Sequence, residues 1–279
     1  MTDSPSGTMP RPQTAEIVPF APEHVAGALR LSREAGWPHR AEDWALTLSV
    51  SQGVVALLEG EVVGTALCSI FGEVAAINMI IVDARMRGQG LGRRLMQAVL
   101  DIAGEGELRL TATADGLPLY EKLGFEVTGH IAQHQGIARA NPPEVPVRIG
   151  GAVDVAELVA MDRAASGLDR TALLGTILRT GDLLRAKRGF AILREFGRGR
   201  VLGPVVAQDP ETARALIAAG ATRCAGQFLR IDLTDPALAA HAESLGLAPE
   251  GGGTSMTKAA RRVAETELKT YALASQALG

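Results

Sequence analysis

The residues best suited to chemistry lie in one stretch, residues 79–92, where an apolar run meets a glycine-rich turn. Gly88, Gly90 and Gly92 come just before apolar residues at helical spacing, so the stretch predicts a strand, a turn and a helix that begins at the glycines. The free N–H groups and positive dipole end of such a helix attract anions, and glycine lets the backbone approach them closely. The turn is therefore predicted to bind phosphate.

The residues of the turn do not match the spacing of two other phosphate-binding motifs. A dinucleotide-binding fingerprint would need glycine at position 93, where this chain has Arg93. A Walker loop would need Gly-Lys followed by Ser or Thr, which the turn lacks. Neither nucleotide-binding motif is present in the turn.

A second motif follows the glycine turn in the expected order. The pattern R-x-x-G-x-G at Arg87, Gly90 and Gly92, followed by LYEKLGF at residues 119–125, resembles the GCN5-related N-acetyltransferase (GNAT) superfamily. This resemblance implies an α/β (α+β) fold in which a mixed, mostly antiparallel central sheet is flanked by helices. It covers residues 14–140 throughout.

The resemblance also implies acetyl-CoA as the donor. Its pyrophosphate would lie on the turn, and its pantetheine would pair with the preceding strand where that strand splays from ELRLTAT. The CoA-binding residues implied are Ile80, Ile81, Val82, Arg87, Gly88, Gln89, Gly90, Leu91 and Gly92.

Tyr120 stands where the family carries a tyrosine that protonates the departing thiolate. A phenol with a pKa near 10 is a sensible proton donor to a thiolate of similar basicity. The alternative is a core tyrosine with its hydroxyl at the edge of the sheet.

The identity of the general base stays open, because the strand ELRLTAT has no central carboxylate. An ordered water, Asp115, His130 and His134 are the candidates, and a plain loop or strand-end role is the alternative for each residue.

Acceptor-binding residues are sought in the segment GWPHRAEDW, which the resemblance places over the acceptor cleft. Trp37, His39 and Trp44 could hold an ammonium group there, or the two tryptophans could simply pack the second helix. His134, expected just after the last strand of the first domain, could line the same cleft. From the second half, Asp162, Asp169 and Arg170 are the candidates, with surface solvation as the alternative.

The second half of the chain is a weak internal repeat of the first, with the matching segments in the same order. HAESLGLAPEGG at residues 241–252 matches LYEKLGFEVTGH at residues 119–130. We predict a tandem GNAT protein with a disordered tail at 1–13, a catalytic domain at 14–140, a proline-marked linker at 141–146 and a degenerate GNAT-like domain at 147–279. In this second domain Asp209 and Pro210 cap the helix at the place of the glycine turn, so no CoA is expected there.

Composition excludes several other classes of protein. The 28 Lys and Arg residues against 31 Asp and Glu residues give a net charge of −3, which does not favour nucleic-acid binding. No apolar run is long enough to cross a membrane, and the N-terminus lacks a signal-peptide pattern. Neither the histidines nor Cys68 and Cys224 have metal-ligand spacing, so no metal is expected. Two unpaired cysteines suit a reducing cytoplasm.

The sequence thus predicts a cytoplasmic N-acetyltransferase that moves acetyl from acetyl-CoA to the primary amine of a small metabolite, such as an amino acid or a polyamine. The acceptor pocket would lie between the two domains. Two alternatives remain open: acetylation of protein N-termini or lysines, and a non-catalytic CoA-binding sensor or partner protein. A homodimer is compatible with the sequence.

Overall fold

The computed structural model of the chain describes residues 14–150, 155–261 and 266–279. The predicted tail at residues 1–13 lies outside the described residues. The first repeat contains six strands and four α-helices: β1 Glu16–Pro19, α1 Val25–Glu34, α2 Ala41–Leu48, β2 Gln52–Leu58, β3 Glu61–Phe71, β4 Val74–Val82, α3 Leu91–Ala103, β5 Glu107–Ala112, α4 Leu117–Lys122 and β6 Glu126–Ile137.

The second repeat follows nearly the same order. Its described elements are β7 Arg148–Ile149, α5 Val155–Ser166, α6 Thr171–Ile177, β8 Asp182–Ala186, β9 Gly189–Phe196, β10 Gly199–Ala207, α7 Pro210–Arg223, β11 Phe228–Leu233, α8 Ala239–Ser244, β12 Ala248–Lys258 and β13 Lys269–Ala272.

All thirteen strands form one mixed sheet in the order β1-β2-β3-β4-β5-β12-β6-β11-β13-β10-β9-β8-β7. Most neighbours are antiparallel, and β4 with β5 and β10 with β11 are the parallel pairs among the described strands. This is the mixed, mostly antiparallel α/β architecture that the sequence predicted for each repeat.

The final long strands of the two repeats are exchanged. Strand β12 of the second repeat lies between β5 and β6 of the first, and pairs Lys258 through Thr254 with Leu108 through Ala112. Strand β6 of the first repeat pairs in turn with β11 of the second, from Phe228 opposite Ile137 to Leu233 opposite Ala132. The sheet therefore continues without interruption from the first repeat, which precedes the predicted linker, into the second repeat, which follows it. Residues 138–147 between the repeats have no regular secondary structure.

Two helices occupy equivalent places and pack by their apolar faces. Helix α3 buries Leu95 and Val99 against the sheet of the first repeat, and α7 buries Leu216 and Ile217 against the sheet of the second. The predicted cap of α7 is confirmed, because the Asp209 carboxylate accepts the Thr212 N–H at 2.7 Å.

One predicted strand end was wrong. His134-Gln135-Gly136 was expected just after the last strand of the first domain, but β6 continues through Ile137. Pairing with β11 on one side and β12 on the other extends the strand, and neither partner is close in sequence.

Candidate functional site

Strands β4 and β5 form a V-shaped slot. They pair only from Val74 opposite Glu107 to Ala76 opposite Arg109. Beyond this point β4 bends away: its register with β3 shifts, and Met79 has a positive φ of 49°. The splay predicted at Ile80–Val82 is confirmed, and no described strand pairs there with the edge of β4 that faces β5.

The glycine turn closes one end of this slot. Gly88 and Gly90 have φ angles of 74° and 75°, and Gly90 is the N-cap of α3. Among the described residues, no backbone carbonyl accepts a hydrogen bond from the N–H groups of residues 88–90. Together with the free N–H groups of the first helical turn, they form an open anion-binding surface.

The side chains around the turn leave this surface accessible. Arg87 is 64% exposed, and its Nη1 lies 3.7 Å from the Asp115 carboxylate. Gln89 donates from Nε2 to the Arg85 carbonyl at 3.1 Å. Farther along the slot Ile80 and Val82 are half-buried, and Ile81 is buried in the core.

Tyr120 lies on α4, which follows β5, and lines the slot together with residues 77–80 of β4. Its ring packs near Phe125, with 6.2 Å between the ring centroids, and it also approaches Gly116. The residue is 7% exposed, and burial raises the pKa of the phenol to about 12. The phenol therefore stays protonated at physiological pH, as a proton donor must.

Tyr120 lines a cavity of about 320 Å³ between the repeats. The first repeat contributes the splayed strands, the loop after α1 and part of β6. The second repeat contributes the turn between β9 and β10, parts of β11 and β12, and the segment after β13. The polar lining residues are Trp37, His39, Asn78, Thr111, Thr113, Tyr120, Gln133, Gln135, Arg198, Arg230, Glu250, Ser275 and Gln276.

An aromatic wall closes the cavity near the loop after α1. The His39 ring lies 5.8 Å from Trp37 and 5.4 Å from Phe196 of the second repeat, measured between ring centroids. The pKa of His39 is lowered to about 4, mainly because the ring is buried; the Asp43 carboxylate opposes this shift, and Arg230 and Arg194 contribute to it. His39 is therefore neutral at physiological pH.

The pKa of His39 predicts an acid-sensitive fold. In the unfolded chain the imidazole takes up a proton near pH 6.5, whereas in the folded chain it does so only near pH 4, so protonation between these values favours unfolding. From pH 7.5 to pH 5 this histidine should cost about 2 kcal/mol of unfolding free energy. Urea denaturation should show a smaller acid loss in His39→Gln than in the wild type. The exposed His130→Gln should retain the full loss, and equal losses in all three proteins would contradict the assignment.

Three of the predicted acceptor residues lie away from this cavity. Trp44 is fully buried and donates its indole N–H to Ser32 Oγ at 3.1 Å. It therefore packs α2 in the core, which was the alternative to a role in binding the acceptor. His134 is 2% exposed, and its Nε2 lies 4.0 Å from Glu243. Asp169 accepts the Thr171 hydroxyl at 2.6 Å at the start of α6.

Asp162 and Arg170 are not cleft residues. Both side chains are fully buried, and Arg170 donates to both carboxylate oxygens of Asp162, at 2.6 and 2.9 Å. Arg170 also donates to the carbonyls of Leu278 and Gly279. The pair holds α5, α6 and the segment after β13 together, a contact that the residue spacing within either helix does not predict.

None of the three residues considered as general base lines the Tyr120 cavity. Asp115 is exposed beside the glycine turn, and His134 faces Glu243. His130 lines a larger neighbouring cavity of about 710 Å³. The two cavities share Ile77, Leu110, Thr111, Gln276 and Ala277.

The sequence analysis missed the polar residues that the second repeat brings to the cavity. Arg198 lies in the turn between β9 and β10, Arg230 is on β11, and Gln276 follows β13. Gln133 and Gln135 come from the exchanged strand β6. Of these, only Gln135 had a sequence signal, as the neighbour of His134.

The equivalent slot in the second repeat is filled by the chain itself. Strands β10 and β11 also form a short parallel pair, at Arg200 opposite Leu229 and Val201 opposite Arg230. Strand β13 then enters between them and pairs with both, through Val206 opposite Thr270 and Leu233 opposite Ala272. Within the described ranges, β13 thus occupies the position that stays open between β4 and β5 in the first repeat.

Two further observations concern the described residues as a whole. No helix within them is both long and apolar enough to cross a lipid bilayer. Across the same ranges, no three His, Cys, Asp or Glu side chains come together as metal ligands would.

Comparison with known proteins gives matches in both repeats. The profile described as acetyltransferase (GNAT) family matches residues 22–125, and one described as acetyltransferase (GNAT) domain matches residues 158–272. The curated protein YitH of Bacillus subtilis (strain 168), described as an uncharacterized N-acetyltransferase, is 30% identical over 232 residues. The match spans 78% of this chain and 82% of YitH.

Solved structures share the whole fold at low sequence identity. A Pyrococcus horikoshii protein superimposes with a TM-score of 0.82 at 20% identity, over 99% of each chain. A tandem GNAT protein from the clavulanic acid biosynthesis pathway gives a TM-score of 0.62 at 15% identity, over 89% of this chain and 99% of that one. These likenesses concern the fold.

Proposed function

Because the chain belongs to the GNAT superfamily and carries two such domains in tandem, we propose that it transfers acetyl from acetyl-CoA directly to the primary amine of a small metabolite. One observation carries the proposal: the splayed part of β4 lines a cavity together with Tyr120 and leads, at its C-terminal end, into the glycine turn and the free N-terminus of α3. Residues 14–140 are proposed as the catalytic domain and residues 147–279 as a degenerate partner that completes the acceptor pocket.

The free backbone groups of the first repeat fit acetyl-CoA. The unpaired N–H groups of the glycine turn suit a pyrophosphate, and the unpaired edge of β4 suits the amides of pantetheine. The proposed contacts are those of Ile80, Ile81, Val82, Arg87, Gly88, Gln89, Gly90, Leu91 and Gly92. In the second repeat β13 and the Asp209 cap take up the corresponding groups, so we propose a single acetyl-CoA site.

Tyr120 is proposed as the general acid. The amine nitrogen bonds to the acetyl carbon, the carbon–sulfur bond breaks, and the phenol gives its proton to the departing sulfur. The proton that the amine loses goes to water in this scheme, because Asp115, His130 and His134 line no part of the Tyr120 cavity. Trp37 and His39 are proposed to enclose the acceptor.

A small acceptor is favoured over a protein. The second repeat supplies one wall of the cavity, whose volume of about 320 Å³ suits a metabolite. A protein N-terminus or lysine would need a groove that admits an extended chain. Both cysteines are free and buried, which supports a location in the reducing cytoplasm.

The test is release of free thiol from acetyl-CoA across a panel of amino acids, polyamines, other small amines and short peptides. Turnover with a small amine, and formation of its N-acetyl product by mass spectrometry, would support the proposal. Turnover with peptides alone would favour the protein-acetylating alternative. Tight acetyl-CoA binding without turnover on any acceptor would favour the sensor.

Arg87→Glu tests the donor site. The substitution places a negative charge beside the proposed pyrophosphate, so acetyl-CoA affinity should fall about 10- to 100-fold, as expected when a charged contact is lost. Isothermal titration calorimetry measures this directly. Arg188→Gln is the matched control, because this exposed arginine lies on the second repeat near Asp209. Unchanged affinity in Arg87→Glu would remove the pyrophosphate assignment.

A further inference from the structure

A chain of hydrogen bonds orients the polar groups in the floor of the cavity. The Asp232 carboxylate accepts from Gln276 Nε2 at 2.9 Å, which fixes the amide orientation of Gln276. The same Nε2 donates to Gln133 Oε1 at 3.2 Å, and Gln133 Nε2 donates to Gln135 Oε1, also at 3.2 Å. The chain therefore ends on the Nε2 group of Gln135, which donates to no acceptor in the described part of the chain.

Two arginines add further donors to this side of the cavity. Arg230 uses Nε and Nη2 to bind the Asp232 carboxylate, which leaves Nη1 without an acceptor among the described residues. Arg198 is exposed, lines the cavity and has no acidic partner in the described ranges. Glu250, also exposed, is the acidic side chain of the lining. The second repeat thus presents a donor-rich, cationic surface.

The first repeat contributes a hydrogen-bond acceptor to the same cavity. Asn78 on β4 donates from Nδ2 to Ser69 Oγ at 2.9 Å and to the Ala76 carbonyl at 3.1 Å. Its Oδ1 is buried without a partner. Asn78 is one of the residues of the splayed strand that line the cavity with Tyr120, so a small movement of its side chain would present this unpaired oxygen to an amine bound there.

We propose that the acceptor is an amine that also carries a carboxylate, as an amino acid does. Its amine lies toward Asn78 and Tyr120, and its carboxylate is bound by Arg198, Arg230 Nη1 and Gln135 Nε2. This inference rests on the proposed function and narrows its substrate class. A polyamine would place a second cation against the arginines and is disfavoured.

The experiment compares α-amino acids with their carboxamides, which keep the amine and lose the negative charge. For the wild type, kcat/KM should be higher with the acid. In Arg198→Gln it should fall about 10- to 100-fold for the acid and far less for the amide, as expected for a hydrogen-bonded charge. Gln135→Glu keeps the oxygen that accepts from Gln133 and adds a negative charge, so it should also select against the acid. Arg188→Gln serves as the distant control.

A binding measurement separates this inference from the proposed function. With CoA present, the acid should raise the Tm of the wild type, and both Arg198→Gln and Gln135→Glu should lose that shift. Equal use of acid and amide, or a preference for polyamines, would overturn the inference and leave the transferase standing. Acid binding without acetyl transfer would support the inference and refute the transferase. Absence of both turnover and acid binding would refute both.

Discussion

Tyr120→Phe should lower kcat by about 10²- to 10⁴-fold, the range expected for loss of a general acid. The variant removes one hydroxyl from a residue that is 7% exposed and keeps the ring that packs near Phe125. Among the described residues the phenol has no hydrogen-bond partner, so the fold should lose no hydrogen bond. Acetyl-CoA affinity and Tm should therefore stay near the wild-type values while steady-state thiol release falls.

A companion variant tests the position of the phenol. A Cβ at Gly116 would lie 2.8 Å from Tyr120 Cε2, so Gly116→Ala must displace the ring while it keeps the hydroxyl. We expect it to lower kcat as well, by less than Tyr120→Phe does. If Tyr120→Phe keeps full kcat on a good acceptor, Tyr120 is a core residue and not the acid.

Asp162→Ala should lower the free energy of unfolding by about 3–5 kcal/mol, because it leaves the Arg170 charge buried without its partner. Urea denaturation measures the loss. Replacing both members, Asp162→Leu with Arg170→Met, should recover much of it, since an apolar pair of similar volume removes the unpaired charge.

The control for this pair is an ion pair whose exposed arginine lies on the same helix as Asp162. Arg163 is 65% exposed and lies 3.6 Å from Asp169, so Arg163→Ala should change stability by less than about 1 kcal/mol. The opposite result for Asp162→Ala, unchanged stability with a raised acceptor KM, would return Asp162 to the acceptor cleft where the sequence had suggested it.

The GNAT resemblance, and not spacing alone, implied the splay of β4 and the position of Tyr120. Local patterns in the sequence predicted the strand, the glycine turn and the helix, which lie within residues 74–103 of one repeat. Each is defined by neighbours along a strand, a turn or a helix, where spacing in sequence corresponds to spacing in space. The cap at Asp209 was predictable for the same reason.

The acceptor side depends on contacts between distant parts of the chain. Helical spacing could not decide whether Trp44 faces the core or the cleft, and it packs against Ser32. Nor could it pair Asp162 with Arg170 across two helices. Arg198 and Gln135 meet at one cavity only because strands are exchanged between the repeats. No local pattern encodes that exchange, since β6 and β12 could each pair within their own repeat.

The position of β12 also sets the order in which the protein can be completed during synthesis. Strand β5 gains its second neighbour only when residues 254–258 are available, more than a hundred residues after it has been made. At ribosomal rates this leaves the edges of β5 and β6 uncovered for on the order of 10 s, open to pairing with another nascent chain. The first repeat, which carries the proposed chemistry, cannot mature before the second has been translated.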